Sequence, residues 1–362
     1  MSRNVKLPMV FCVVGVLICA LTVTEVANAC SRILWNTNEQ AVIVARSSDW
    51  IQPMGEMLVI YPRGIKVQGD AGENSLEWIS KYGSIGVVTY GLTLKNVKRS
   101  DGTRQDPLVD WNLDGMNEKG LAAHLLYLPG TKYEKEDRRP GIIYSRWVRY
   151  VLDNFGTVTD AVCAMRKVRI VPAEVGGVVH PVHLALDDPS GDSAIIELID
   201  GNLVIYHSPA HTVMTNQPAY PIQLANLKQY KPFGGEVDSL PGGIEPAERF
   251  VRAAVFLKTL PDPKDHAEAV AYLTSVIRNV SVPFGALTPA GPVPTMSTWW
   301  TTVLDLSDRV FYFHWTSNQK VLQIDLKKLN FSAERRMKAL DPKRTDLVDD
   351  ITEKFVAVSL EN

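Results

Sequence analysis

The chain has 362 residues, 46% hydrophobic and 22% charged, and its 38 basic and 40 acidic side chains leave a net charge of −2. That length supports a sizeable core, and the composition is that of an ordinary globular protein. The near-neutral balance offers no basic excess that would single out nucleic acid or an anionic membrane surface as a partner.

The first 29 residues read as a leader. Arg3 and Lys6 form a positive head, Met9 to Val23 an apolar run, and Thr24 to Ala29 a small, polar exit. The run is short of the roughly 20 apolar residues that span a bilayer, and no later stretch is long and apolar enough to span. Ala27-Asn28-Ala29 places small residues at the first and third positions before a cut, as signal peptidase requires. Removal of residues 1–29 would export one domain, residues 30–362, to the periplasm or beyond, and would make Cys30 the first residue. Lipidation of that Cys is the alternative, but Ala27 stands where that pathway wants a branched apolar residue. Cys12 and Cys19 leave with the leader, so Cys30 and Cys163 remain. An exported protein could pair them. Cys163, in the helical-looking stretch 160–165, reads instead as a buried small hydrophobe.

Beyond the junction, 30–36 and 41–46 read as a hairpin around the turn 37–40. Strand-like runs follow at 57–61 and 85–90. The segment 114–120 is dense in turn residues and feeds the apolar run 121–127. Residues 132–139 are charged and read as a surface loop. A helical pattern opens at Pro140, with Ile143 and Trp147 at helical spacing, and Gly156 ends it. Thr157 or Thr159 would cap the next helix, through Val168. Strands are expected at 182–186, 194–199, 202–206 and 212–215, with Asp200-Gly201 a hairpin turn. Helices are expected at 245–260 and 264–280, a Pro/Gly-rich loop at 283–294, and a meander at 298–304, 309–315 and 320–326. The tail after Ala333 is charged and helix-prone. Strands in groups with helices between them suggest sheets covered by helices.

Cys30 at a new N-terminus would put a thiol beside an α-amino group of reference pKa about 7.7–8.0, a nucleophile with its own base. Arg46 and Asp49, on the partner strand and just beyond it, can reach that site, although the spacing alone also fits surface residues at a strand end. His180 and His183 flank Pro181 without a clustered carboxylate or Cys, so no metal is expected. His124, in an apolar strand, reads as structural.

Five segments in order resemble the choloylglycine hydrolase and penicillin V acylase family of N-terminal nucleophile hydrolases. They are Cys30 with Ala45-Arg46-Ser47-Ser48-Asp49-Trp50, then Asp114-Gly115-Met116-Asn117-Glu118-Lys119-Gly120-Leu121, then Tyr127, then Thr215-Asn216, and Arg249-Phe250-Val251-Arg252-Ala253-Ala254. The resemblance runs from Cys30 to about Lys327. It implies an α+β fold, a four-layer αββα sandwich, and cleavage of a linear amide without a cofactor. It also implies roles. Cys30 would be the nucleophile and its amino group the base, with Asp49 holding that group. Arg46 and Arg249 would set the field, and the Asn216 amide and Tyr127 backbone N–H would form the oxyanion hole. Trp50 and Trp111 would line the acyl pocket. The leader and the short segment from Asn216 to Arg249 resemble the exported Gram-negative branch, so the homotetramer of other relatives is not assumed. Penicillin V and N-acyl homoserine lactones are the implied substrates, with conjugated bile salts as the alternative. A non-catalytic periplasmic or lipid-anchored binding protein on the same fold is the reading from another class.

Overall fold

Two sheets face each other, with helices packed on both outer surfaces. The structure, a computed structural model, describes residues 30–89, 111–175, 178–286 and 296–358. The leader, Tyr90 and most of the expected 283–294 loop lie outside the described residues.

The strands of the two sheets, in chain order, are β1 (Cys30–Trp35), β2 (Ile43–Trp50), β3 (Glu56–Tyr61), β4 (Ser84–Thr89), β5 (Asn112–Asn117), β6 (Ala122–Tyr127), β7 (Val182–Asp187), β8 (Ser193–Ile199), β9 (Asn202–His207), β10 (Val213–Met214), β11 (Ser297–Asp305), β12 (Val310–Trp315), β13 (Val321–Asp325), β14 (Lys338–Leu340), β15 (Asp349–Asp350) and β16 (Val356–Ala357). The helices are α1 (Trp147–Asn154), α2 (Val158–Met165), α3 (Tyr220–Leu227), α4 (Pro246–Lys258) and α5 (His266–Val280). One sheet has seven strands, in the order β10-β1-β2-β11-β12-β13-β15, and the other nine, β9-β8-β7-β6-β5-β4-β3-β14-β16. Helices α3, α4 and α5 cover the first sheet, and α1 and α2 the second.

Side-chain alternation along β1 and β2 builds two of the layers at once. Ile33, Trp35, Ile43 and Ala45 pack toward α4 and α5, while Leu34 and Val44 pack toward the second sheet. Trp300 and Trp147 are the largest apolar side chains with no exposure, and truncating either to Ala should cost about 3–5 kcal/mol. Pro246 starts α4, and a capping box between Glu245 and Glu248 closes its first turn. This fixes the end of α4 that carries Arg249.

Several expectations change on folding. The family segment at 114–120 is only half turn: Asp114 to Asn117 complete β5, paired with β4 and β6, and Gly120 makes the turn at φ 86. A Cβ there would lie 2.7 Å from the Leu306 carbonyl, so only Gly fits. The helix expected after Pro140 begins at Trp147, because Gly141–Ile143 pairs as a short parallel strand with Arg169–Val171. Helix α3 went unread because Pro218 and Pro221 look like breakers; Pro221 sits in its first turn, where Pro is tolerated. The described tail carries three short strands and a 3-10 turn in place of an α-helix. Met337 and Ala339 cover Val59, Tyr61 and Val88, and β14 pairs with the exposed edge of β3, so tertiary pairing overrides helix propensity. Cys163 is exposed on α2 and not buried, and both it and Cys30 are free thiols. The Asp200-Gly201 hairpin and the Thr157 cap on α2 are as expected.

Candidate active site

The ends of β1 and β2, the segment after β10 and the first turn of α4 converge on Cys30. Register pairs Cys30 with Ser48 and Asp49 with Thr298. Cys30 is 6% exposed, Arg46, Asp49 and Asn216 are each 1%, and Arg249 is 0%. The Cys30 nitrogen donates to Asn216 Oδ1 at 2.6 Å, and the same oxygen accepts from Arg249 Nη2 at 2.9 Å. Arg249 Nη1 donates to the Cys30 carbonyl at 2.8 Å and to Ser31 Oγ at 2.5 Å. Asn216 Nδ2 donates to the Tyr127 carbonyl at 2.7 Å. The Leu128 N–H reaches the Pro181 carbonyl, so antiparallel alternation turns the Tyr127 N–H and C=O away from β7, toward Asn216.

Asp49 lies beneath the thiol. Its carboxylate accepts from Thr298 Oγ1 and, at 3.3 Å, from Ser47 Oγ, with Arg249 Nη1 at 4.0 Å. With Ala29 attached, the Cys30 nitrogen is a peptide N–H with one proton, and that proton goes to Asn216 Oδ1. Asp49 shares its face of β2 with Ser47, and the nitrogen turns to Asn216. Burial pushes the Asp49 carboxyl up to about 7, against Arg249 and the two hydroxyls, which pull it down. Burial likewise raises the Cys30 thiol, Asp49 adds to the rise, and Arg46 and Arg249 oppose it. Burial therefore favours the thiol over the thiolate, and a base would be needed to take its proton.

Arg46 is fixed on the other face of β2. It donates to the carbonyls of Leu113 and, at 2.8 Å, Leu125, and its guanidinium lies 4.9 Å from the Trp300 ring centroid. Asp114 is 4.0 Å away. From there a line of buried ionisable groups crosses between the sheets. Asp114 bonds His124 Nδ1, His124 Nε2 lies 3.6 Å from Asp187, and Asp187 pairs with Arg32. Burial lowers the His124 pKa, which favours the neutral ring. His124 is thus structural, as read, but it stands within this line.

A cavity of about 50 Å³ opens beside Cys30. Trp50, Trp111, Tyr127, Tyr144 and His180 form its aromatic wall, with Met54 and Val182. The Trp50 ring lies 5.8 Å from that of Tyr127, and Trp111 meets His180 edge-on at 5.3 Å. All eight residues singled out from the sequence are thus in or against this cleft. The sequence reading missed Ser31, Ser47 and Thr298, whose hydroxyls tie Asp49 and Arg249 to the strands. Their only signal was polarity at positions that pair inside a sheet. It also missed Tyr144, which carried none, and weighed His180 only as a metal ligand. Three potential metal ligands, His266, Asp305 and Asp308, gather within 4.8 Å of one another, at the far end of β11 from the Asp49 pairing.

Fold and cleft define a hydrolase of linear amides, and residues 30–352 match the family described as linear amide C–N hydrolases, choloylglycine hydrolase family. The chain belongs to that family. It is 37% identical over 343 residues to a penicillin V acylase of Pectobacterium atrosepticum, covering 87% of each chain. It is 24% identical over 328 residues to a bile salt hydrolase/transferase of Clostridium perfringens, covering 83% of this chain and 93% of that one. The solved penicillin V acylase of Agrobacterium tumefaciens superposes with a TM-score of 0.78 at 37% identity, over 91% of this chain and 98% of that one. A conjugated bile acid hydrolase of C. perfringens shares the fold, with a TM-score of 0.68 at 22% identity over 88% and 98% of the two chains.

Proposed function

We propose that residues 1–29 are a cleaved export signal and that Cys30, as the new N-terminus, is the nucleophile of a periplasmic penicillin V acylase or N-acyl homoserine lactone acylase. The observation that carries this reading is the meeting of Cys30, Asp49, Asn216 and Arg249, distant in sequence, around one buried thiol. The α-amino group takes the thiol proton as sulfur adds to the amide carbon. The second Asn216 Nδ2 proton and the Tyr127 N–H receive the oxyanion. The ammonium then protonates the departing nitrogen, the C–N bond breaks, and a thioester remains. Water, deprotonated by the same amine, releases the acid and restores the thiol. Asn216 Oδ1 orients the amine, Arg249 fixes Asn216 and the Cys30 carbonyl, and Arg46 favours negative charge on sulfur.

The greater identity to penicillin V acylase and the aromatic wall favour an aryl or acyl chain over a bile acid. The decisive panel is penicillin V, an acyl homoserine lactone and glycocholate, each followed by amine release. Cys30→Ser should keep the fold by circular dichroism and lose at least about 10³-fold in turnover. One uncleaved residue before Cys30 should silence the enzyme equally. Undiminished hydrolysis by Cys30→Ser would falsify the mechanism, and a lipid-modified Cys30 in the purified protein would favour the anchored binding protein.

A further inference from the structure

Two donors in the acyl-side wall are buried with no acceptor for their protons among the described residues. Trp111 is 6% exposed and Tyr144 0%, yet neither the Trp111 Nε1–H nor the Tyr144 O–H donates to any of them. Buried donors are nearly always paired, because removing one from water without an acceptor is costly. Both side chains line the small cavity that Cys30 lines. Neither is there by loose packing. The Trp111 ring is held edge-on by Tyr144 at 5.6 Å and by His180 at 5.3 Å. Tyr133 packs 5.8 Å from Tyr144 and anchors itself through its own hydroxyl, which donates to the His180 carbonyl at 2.6 Å. Burial raises the Tyr144 phenol, so it keeps its proton at every working pH. The nearby His180 backbone amide is a donor and leaves that proton unspent.

We infer that Trp111 Nε1 and Tyr144 Oη are specificity donors kept for an acceptor oxygen on the acyl group. The inference rests on the reading of Cys30 as the acylated residue and adds the substrate class that its pocket selects. The cavity holds about 50 Å³, where one water needs roughly 10–15 Å³. Cys30 and the two donors line this one small space, so the donors read atoms close to the carbonyl that sulfur attacks. An aryloxyacetyl group carries an ether oxygen as the third atom of its acyl chain, and a 3-oxoacyl group carries a ketone there. Replacing the ether oxygen by methylene keeps the shape and leaves both donors bare.

The test is a pair of amides of 6-aminopenicillanic acid, one phenoxyacetyl and one 3-phenylpropanoyl, which differ by oxygen for methylene. The readout is the ratio of their kcat/KM values from amine release. A pocket built around a hydrogen bond discriminates strongly against the analogue lacking it, so the wild type should favour the ether by about tenfold or more. Tyr144→Phe and Trp111→Phe should each lower the ratio severalfold, since one donor remains in each, and the double variant should bring it to within about threefold of one. Should Tyr144→Phe fail to fold, the Trp111→Phe ratio and the wild-type ratio decide. A wild-type ratio near one overturns the inference while leaving the amidase intact. So does a ratio that neither variant moves. Absence of any acyl adduct on Cys30 with either amide overturns the nucleophile reading and this inference with it.

Discussion

The ionic line between the two sheets and the aromatic wall of the cleft are both buried, and they handle polarity in opposite ways. In the first, Arg32 faces Asp187 and Arg46 faces Asp114 at 4.0 Å, with His124 between the two acids. Each charge there has an opposite charge beside it. In the second, Trp111 and Tyr144 hold donors that have no acceptor among the described residues. A buried charge without a partner costs too much to persist, whereas a neutral N–H or O–H can be left open if a ligand later supplies the acceptor. The difference separates what holds the cleft in shape from what is left for the substrate.

Breaking the ionic line should have the largest effect. Arg32→Met leaves Asp187 buried without its cation and should cost about 3–5 kcal/mol in urea unfolding. A loss under about 1 kcal/mol would mean that water reaches Asp187. Between the two regions stands Asn216, bonded to Cys30, Arg249 and Tyr127. Asn216→Ala should lower turnover about 10²–10³-fold, and a change confined to KM would remove it from the oxyanion site.

Asp49 provides a pH test. Its carboxyl is pushed up to about 7, above the unfolded value of about 3.9. Between those values the folded protein keeps a proton that the unfolded chain releases, so stability falls as pH rises through that window. Asp49→Asn should flatten this slope in unfolding measured at pH 4.5 and 7.5, and equal slopes in the two proteins would contradict the assignment. The smallest effect belongs to a site away from both regions. Thr157 accepts from the Asp160 N–H at the start of α2, and Thr157→Ala should cost about 1 kcal/mol with kcat/KM unchanged.

The strands were legible where apolar residues alternate between turn signals, as in the Asp200-Gly201 hairpin and the closing meander. The Asp114–Leu121 segment was legible as a family motif but not as structure. Its Asp, Gly and Asn residues look like turn formers, yet Asp114 is in β5 because its carboxylate is spent on Thr302 and His124. Cys163 failed because a short helix shows which residues alternate without showing which side the sheet covers. The tail failed because pairing with β3 outweighs local propensity.

Most strands, the two long helices, the Thr157 cap on α2, and the positions of Cys30, Arg46, Asp49, Tyr127, Asn216 and Arg249 were in the sequence by itself. Local periodicity, turn chemistry and a motif spread along the chain are all one-dimensional signals. Tertiary structure alone decided that Asn216 takes the Cys30 nitrogen, that burial favours the Cys30 thiol over the thiolate, and that Tyr144 and His180 complete the wall. Those outcomes depend on which faces meet when the two sheets close and on how far water is excluded. Neither is encoded at any single position of the chain.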